Sequence, residues 1–213
     1  MLIILDWDGT LVDSAGQIVS AMQSAIADRG LDFRDYAQVS GIIGLGLPEA
    51  IASLYPAEDD VVREKLRLAY VDHFLADPKA PVFFDGVMET LTVLREEGHV
   101  LAIATGKSRR GLNRVLGDLS LLDYFDYTRC ADETRSKPHP QMLHELLAHS
   151  GTDPQAAVMV GDTTFDMEMA LAANIAAVAV EYGVHSSDTL QQLGLDGMLS
   201  EFSALRDWIR YRV

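Results

Sequence analysis

Asp6 and Asp8 stand just past the first apolar run, Leu2–Leu5, with Gly9 and Thr10 directly behind them. On an extended chain, side chains two residues apart point the same way, so both carboxylates are expected to project towards one place. At about 5 Å and an effective dielectric near 20, two ionised carboxylates repel by about 3 kcal/mol. A cation or a shared proton would relieve that cost. Taken alone, Asp-x-Asp-Gly also fits a solvated turn that opens a helix, because Asp and Gly favour turns and Asp caps helices.

Three more apolar runs end in residues able to do chemistry. Val100–Ala104 is followed by Thr105, Gly106, Lys107 and Ser108; a weaker run, Tyr127–Cys130, precedes Ser136-Lys137-Pro138; Ala156–Val160 leads into Gly161, Asp162, Thr163, Thr164, Phe165 and Asp166. Each has a plain explanation as a turn, a surface lysine, or acids favoured at a helix N-terminus. Together they make a coherent set. Asp6, Asp8 and Asp162 are hard oxygen ligands of the kind Mg²⁺ takes. The Thr105 hydroxyl and the Gly106 N–H suit phosphate oxygens at a helix N-terminus, and Lys137 adds a fixed positive charge. A carboxylate nucleophile, a divalent metal, a hydroxyl donor and a lysine are what phosphoryl transfer through an aspartyl-phosphate uses.

These residues need strand ends to hold them. Nearly continuous apolar runs of four to eight residues, with Ile175–Val180 as another, suit strands buried on both faces of a parallel sheet. Amphipathic stretches separate them: Val87, Leu91 and Leu94; Leu112, Val115, Leu116 and Leu119; Met142, Leu143, Leu146 and Leu147. The alternation from residue 82 onward predicts right-handed βαβ units in a doubly wound α/β sheet. Residues 15–80 break that rhythm and read as helices only, with stripes at Ile18, Met22 and Ile26 and at Val62, Leu66, Tyr70 and Phe74. They predict an inserted all-helical module, with 1–14 and 81–213 forming the core and hinges near Asp13–Ala15 and in Asp77-Pro78-Lys79-Ala80-Pro81.

Composition narrows the classes. A 213-residue chain with 48% hydrophobic residues can bury a full core. A net charge of −15 argues against a nucleic-acid or anionic-membrane partner. Cys130 is the only cysteine, which rules out an intrachain disulfide, and its apolar setting predicts a buried structural thiol. The first apolar run is too short for a signal peptide, and no stretch has the length of a membrane span. A cytoplasmic protein is the expectation.

In order and spacing, Asp6-Trp7-Asp8-Gly9-Thr10-Leu11-Val12-Asp13-Ser14, Thr105, Lys137-Pro138 and Gly161-Asp162 with Asp166 resemble the four motifs of the haloacid dehalogenase superfamily, most closely its phosphoglycolate phosphatase-like branch. The resemblance implies a Rossmann-like core with a mobile helical cap, a small phosphorylated metabolite as substrate, and Mg²⁺ as cofactor. It implies Asp6 as nucleophile and Asp8 as general acid and base, with Asp6, the Asp8 backbone carbonyl and Asp162 on the metal. Thr105 and Gly106 match the phosphate-holding second motif and Lys137 the third, while Asp166 matches the acid that orients the metal shell or the lysine. Asp8 argues against dehalogenation, because dehalogenating members lack it.

Two segments carry the remaining expectations. Gly41-Ile42-Ile43-Gly44-Leu45-Gly46-Leu47-Pro48 lacks the context of a dinucleotide fingerprint or a P-loop. By position it resembles the cap's substrate-specificity loop, with Gly44 over the substrate; a plain turn between cap helices is the alternative. Lys107, Arg109 and Arg110 crowd the start of a predicted helix, where each exposed cation opposes the macrodipole by about 0.3–1 kcal/mol. An anionic ligand would offset that, and Lys107 resembles the lysine that follows the second-motif threonine in this branch. Lys107 is therefore expected to meet the substrate's phosphate or a second negative group. The leading function is a phosphatase. A phosphomutase of the β-phosphoglucomutase type would need a second phosphate site, and 41–48 has no Arg or Lys; a pyrophosphatase stays open. An aspartate-phosphorylated signalling module is disfavoured by the helical insertion. Oligomeric state is not readable, and the six histidines show no metal-ligand spacing, His144 and His149 being five apart.

Overall fold

Every apolar run singled out above becomes a strand: β1 (Leu2–Leu5), β2 (Val100–Thr105), β3 (Tyr127–Cys130), β4 (Ala157–Gly161) and β5 (Ala176–Val180). The computed structural model of the protein describes residues 1–77 and 80–212. A further strand, β6 (Gly197–Leu199), completes a parallel sheet in the order β3-β2-β1-β4-β5-β6. β1 lies at the centre, pairing with β2 on one side and β4 on the other. The chain order reverses there, and such a switch point is where open parallel sheets bind ligands beyond the strand ends.

The strands divide their side chains between two cores. Ile3, Leu5, Leu101, Ile103, Val158, Val160, Val178 and Val180 face one side, against α5 (Val87–Glu96), α6 (Arg109–Asp118) and α10 (Leu205–Arg210). Leu2, Ile4, Ala102, Ala104, Met159, Ala177 and Ala179 face the other, against α7 (Gln141–Ser150), α8 (Thr164–Ala172) and α9 (Ser187–Leu190). The period-two alternation of a strand explains the split. Each fully buried Leu, Ile or Val contributes about 1.5–3 kcal/mol, and this anchors the loops at the strand ends. Cys130 is fully buried in the first of these cores, and burial pushes its thiol up to about 12.

The inserted segment is helical: α1 (Ala15–Arg29), α2 (Tyr36–Ser40), α3 (Leu47–Leu54) and α4 (Asp60–Ala76). Ile18, Met22, Ile26, Val39, Ile51, Leu54 and Leu66 form its own core. Asp59 starts α4 by accepting the Val62 N–H, and Gly30 ends α1 in the left-handed region. Pro48 falls in the first turn of α3, so the Gly-rich segment is loop only as far as Gly46. The segment at Asp13–Ala15, where the first hinge is expected, runs beside the returning chain, with Asp13 N–H donating to Val82 O at 2.9 Å. Within the second, Pro78 and Lys79 lie outside the described residues. Among the described residues, no helix is long and apolar enough to cross a membrane.

Candidate active site

Asp6 prolongs β1 by one residue, its N–H donating to Val160 O at 3.0 Å. It is 1% exposed, and neither carboxylate oxygen has a hydrogen-bond partner among the described residues. The Lys137 ammonium lies 2.7 Å from Asp6 Oδ1, outside hydrogen-bond geometry, and donates to Asp166 Oδ1 at 2.6 Å. Burial holds the Asp6 carboxyl well above the usual carboxylate range; Lys137 opposes the rise, while Asp166 and Asp162 add to it. For Lys137, burial alone would lower the pKa, but the charges of Asp166 and Asp6 outweigh it and raise the pKa. Lys137 is therefore no surface lysine.

Asp162 follows β4 and is completely buried. Thr10 Oγ1 donates to its Oδ1 at 2.8 Å and the Val184 N–H to its Oδ2 at 2.8 Å. Burial, followed by the charge of Asp166, pushes the carboxyl up to about 7, against the pull of these donors and Lys137. Gly9 has φ +83°, and a Cβ there would strike the Asp162 carboxylate, so the first-motif turn excludes other residues twice over. The Tyr182 hydroxyl donates to Thr10 O at 2.9 Å and so fixes the turn that carries Thr10. Asp166 sits in a capping box at the start of α8: its Oδ2 accepts Thr163 N–H at 3.1 Å and Thr163 Oγ1 at 2.7 Å.

One oxygen each from Asp6, Asp162 and Asp166 lies within 4.8 Å of the others. An all-carboxylate set, with Asp6 bare of hydrogen bonds, fits a hard divalent cation such as Mg²⁺. Both oxygens of Asp166 are engaged, by Lys137 and Thr163, whereas Asp6 is open.

Asp8 does not join that cluster with its side chain. Its Oδ1 accepts Ser14 Oγ at 2.5 Å and lies 2.9 Å from Lys107 Nζ. The two carboxylates that sequence spacing aims at one place are thus held by different cations. Lys107 Nζ also stands 5.6 Å from the Phe74 ring centroid, on α4, and the Asp8 charge adds to the burial that raises the Tyr70 phenol. Asp8 therefore faces both the sheet and the cap. Thr105 is fully buried at the end of β2, and its Oγ1 accepts the Lys107 N–H at 3.2 Å. A Cβ on Gly106 would come within 2.5 Å of Leu45 O and 2.6 Å of Gly44 O, so the cap loop rests on the second motif.

Arg109 points elsewhere, to Glu133 at 2.7 Å and Thr128 Oγ1 at 2.8 Å, while its N–H is taken by Asp132 at 2.8 Å. These acids offset the macrodipole cost without any ligand, and Arg110 is exposed. Lys107 precedes the N-cap, Ser108. Of the three cations, Lys107 pairs with a first-motif carboxylate, Asp8, whereas Arg109 pairs with Glu133. Thr10, Ser14 and Ser136 stand inside the predicted motifs without a role of their own there, and Tyr182, Val184 and His185 lie outside every predicted motif. Thr10 and Ser14 lie in the first motif and carry a hydroxyl that points to a role; Val184 acts through its backbone and leaves no sequence signal.

The model of the family described as haloacid dehalogenase-like hydrolase matches residues 3–180, and the chain belongs to that family. It is 36% identical over 209 residues to a Dickeya dadantii protein named probable phosphatase IndB, covering 95% of this chain and 90% of that protein. It is 28% identical to a phosphoglycolate phosphatase of Rhodospirillum rubrum, covering 98% of this chain and 90% of that one. Among solved structures, a hydrolase from Pseudomonas syringae superposes with a TM-score of 0.89 at 21% identity, covering 98% and 97% of the two chains; this likeness speaks to the fold.

Proposed function

We propose that this chain is a phosphatase that hydrolyses a small phosphomonoester with Mg²⁺ as cofactor, through a phosphorylated Asp6. Asp6 is the observation that carries the reading: a buried carboxylate at the switch point of a parallel sheet, with no hydrogen bond on either oxygen and an ammonium 2.7 Å away. Such a carboxylate keeps its lone pairs available to phosphorus. Names of relatives such as phosphoglycolate phosphatase support the same class of substrate.

An Asp6 oxygen bonds to phosphorus while the bond from phosphorus to the leaving oxygen breaks, and Asp8 gives that oxygen its proton. Asp8 then takes a proton from water, whose oxygen bonds to phosphorus as the bond to Asp6 breaks. Orthophosphate leaves and Asp6 is restored. The Thr105 hydroxyl, the Gly106 N–H and the Lys137 ammonium hold the transferred group's oxygens. Asp6, Asp162 and the Asp8 carbonyl would hold Mg²⁺, which when bound neutralises charge on the phosphoryl oxygens. Asp166 completes the acidic set and orients Lys137. Residues 15–80 act as a cap on a core of 1–14 and 81–213, with Gly44 in the loop over the substrate. Lys107 meets a second negative group on the substrate when it leaves Asp8. The 41–46 loop offers no cation for a second phosphate, which favours hydrolysis over mutase chemistry.

The test is a panel of phosphoglycolate, sugar phosphates, nucleotides and pyrophosphate with Mg²⁺, read as kcat/KM. Small monoesters with an anionic tail are expected to lead. Orthophosphate release at background from every compound refutes the assignment.

A further inference from the structure

The loop between α2 and α3 reaches the sheet at several points, and a buried hydrogen bond secures it at one end. The Gly46 N–H donates to Ser136 Oγ at 2.7 Å, and the same hydroxyl donates to Lys137 O at 3.2 Å. Ser136 is buried and immediately precedes Lys137. Gly46 is the N-cap residue of α3 and has no side chain of its own to serve the helix end. The core lends it an acceptor from the third motif.

The neighbouring contacts agree. A Cβ on Gly44 would stand 3.2 Å from Thr163 Oγ1 and 3.5 Å from Phe165, so the loop lies against the fourth motif. His185 Nδ1 accepts the Thr164 N–H at 3.1 Å, which leaves Nε2 to donate to Gly41 O at 3.4 Å. Of these contacts only the Ser136 bond is short and joined covalently to a residue on the nucleophile. An alternative acceptor for that N–H stands nearby. Glu49, at the N3 position of α3, has Oε2 2.5 Å from where a Gly46 Cβ would lie, within reach of the N–H once the loop lifts.

We propose, building on the phosphatase reading, that Ser136 is a positioning residue. Its hydroxyl latches the cap loop to the third motif, so that closure over the substrate and seating of Lys137 against Asp6 and Asp166 occur together. Closure then shuts out water and completes the phosphate-holding set in one event. Ser136 touches no reacting atom.

Ser136→Ala strands a buried N–H in the closed form and shifts the closed-to-open ratio by about five- to a hundredfold. Amide hydrogen exchange of metal-free protein, read by mass spectrometry on peptides spanning 41–47 and 157–161, tests this without any need for turnover. Residues 41–47 are expected to exchange at least about fivefold faster in Ser136→Ala, with β4 unchanged. Ser136→Thr, which keeps the hydroxyl, restores wild-type exchange, and kcat/KM follows exchange through both variants. Exchange of 41–47 within twofold of wild type in a folded Ser136→Ala protein overturns the latch, whatever happens to kcat. So does a folded Ser136→Thr protein that exchanges like Ser136→Ala. A wild-type protein without phosphatase activity sinks the functional reading instead, and the exchange comparison still decides the latch.

Discussion

Replacing Lys137 by Met removes the ammonium while keeping similar bulk, and leaves Asp6, Asp162 and Asp166 with oxygens within 4.8 Å of one another and no buried cation among them. At 4.8 Å and an effective dielectric near 20, each ionised pair repels by about 3.5 kcal/mol. Removing one partner of a buried pair costs about 3–5 kcal/mol. With an unfolding entropy of about 2.1 cal/mol/K per residue, a 213-residue chain has about 0.45 kcal/mol/K, so Tm falls by about 7–11 °C. The sign with pH follows from the acids. In the wild type the Lys137 pKa is raised, so its contribution is complete below the unfolded value near 10.4 and constant from pH 5 to 8. In the variant the folded pKa values of Asp6 and Asp162 stand still further above their unfolded ones. They stay protonated at pH 5, and the penalty grows as pH rises. Melting followed by circular dichroism in EDTA at both pH values should show the full loss at pH 8 and less than half of it at pH 5. An equal loss at both pH values would refute the electrostatic account in favour of packing, and a loss under about 2 °C at pH 8 would refute it outright.

Asp6→Asn is expected to abolish orthophosphate release while Tm in EDTA at pH 8 stays level or rises, since the amide removes a carboxylate that burial penalises; turnover above a few per cent of wild type excludes Asp6 as nucleophile. The Asp162 carboxyl, at about 7, keeps its proton in the metal-free protein at pH 6 while the unfolded chain ionises near 3.8, so metal-free stability falls as pH rises from about 4 to 7. Mg²⁺ must displace that proton and any held by Asp6, so its calorimetric Kd should weaken at least about tenfold per pH unit below 7, and a flat Kd from pH 5.5 to 8 contradicts the assignment. Lys107→Ala should lower kcat/KM by at least tenfold, about 1.4 kcal/mol, on the best anionic-tailed substrate. The loss on p-nitrophenyl phosphate should be much smaller; equal losses place Lys107 on the phosphate, and no loss on either returns it to a structural role.

The strands were legible because parallel strands buried on both faces are apolar at every position, so each run announces itself and its carboxyl end. β6 was not: Gly197–Leu199 is three residues long, sits at the sheet edge and is only partly buried, which leaves no run to read. α3 hid behind a glycine-rich stretch whose last residues already belong to the helix. In the site, the residues whose charges and hydroxyl recur beyond several strand ends and fit one chemistry together stood out, namely the acids, Thr105 and Lys137. Those that orient them did not. Thr10 and Ser136 act through single hydroxyls of a kind found in any turn, and Val184 through a backbone N–H common to every residue type but proline. The pairing of Asp8 with Lys107 also escaped, because period-two spacing gives the direction of a side chain only while the chain stays extended. Past Asp6 the chain turns, and Gly9 is already in the left-handed region.

The charges of the site argue for the valence of its cofactor. Asp6, Asp162 and Asp166 fully ionised carry three negative charges, and Lys137 returns one, which leaves two in a space closed to solvent. Asp8 is balanced separately by Lys107 and adds nothing to that excess. A monovalent cation would leave the cluster charged, whereas a divalent one matches it. Without a cation the excess is removed by protons, and the two carboxyls with strongly raised values, Asp6 and Asp162, are the ones left without the ammonium's hydrogen bond. Asp166 receives that bond together with two from Thr163. The proton-holding pair in the metal-free protein is therefore the pair assigned to Mg²⁺, and Asp166 is assigned to Lys137 by the hydrogen bond it accepts from that ammonium.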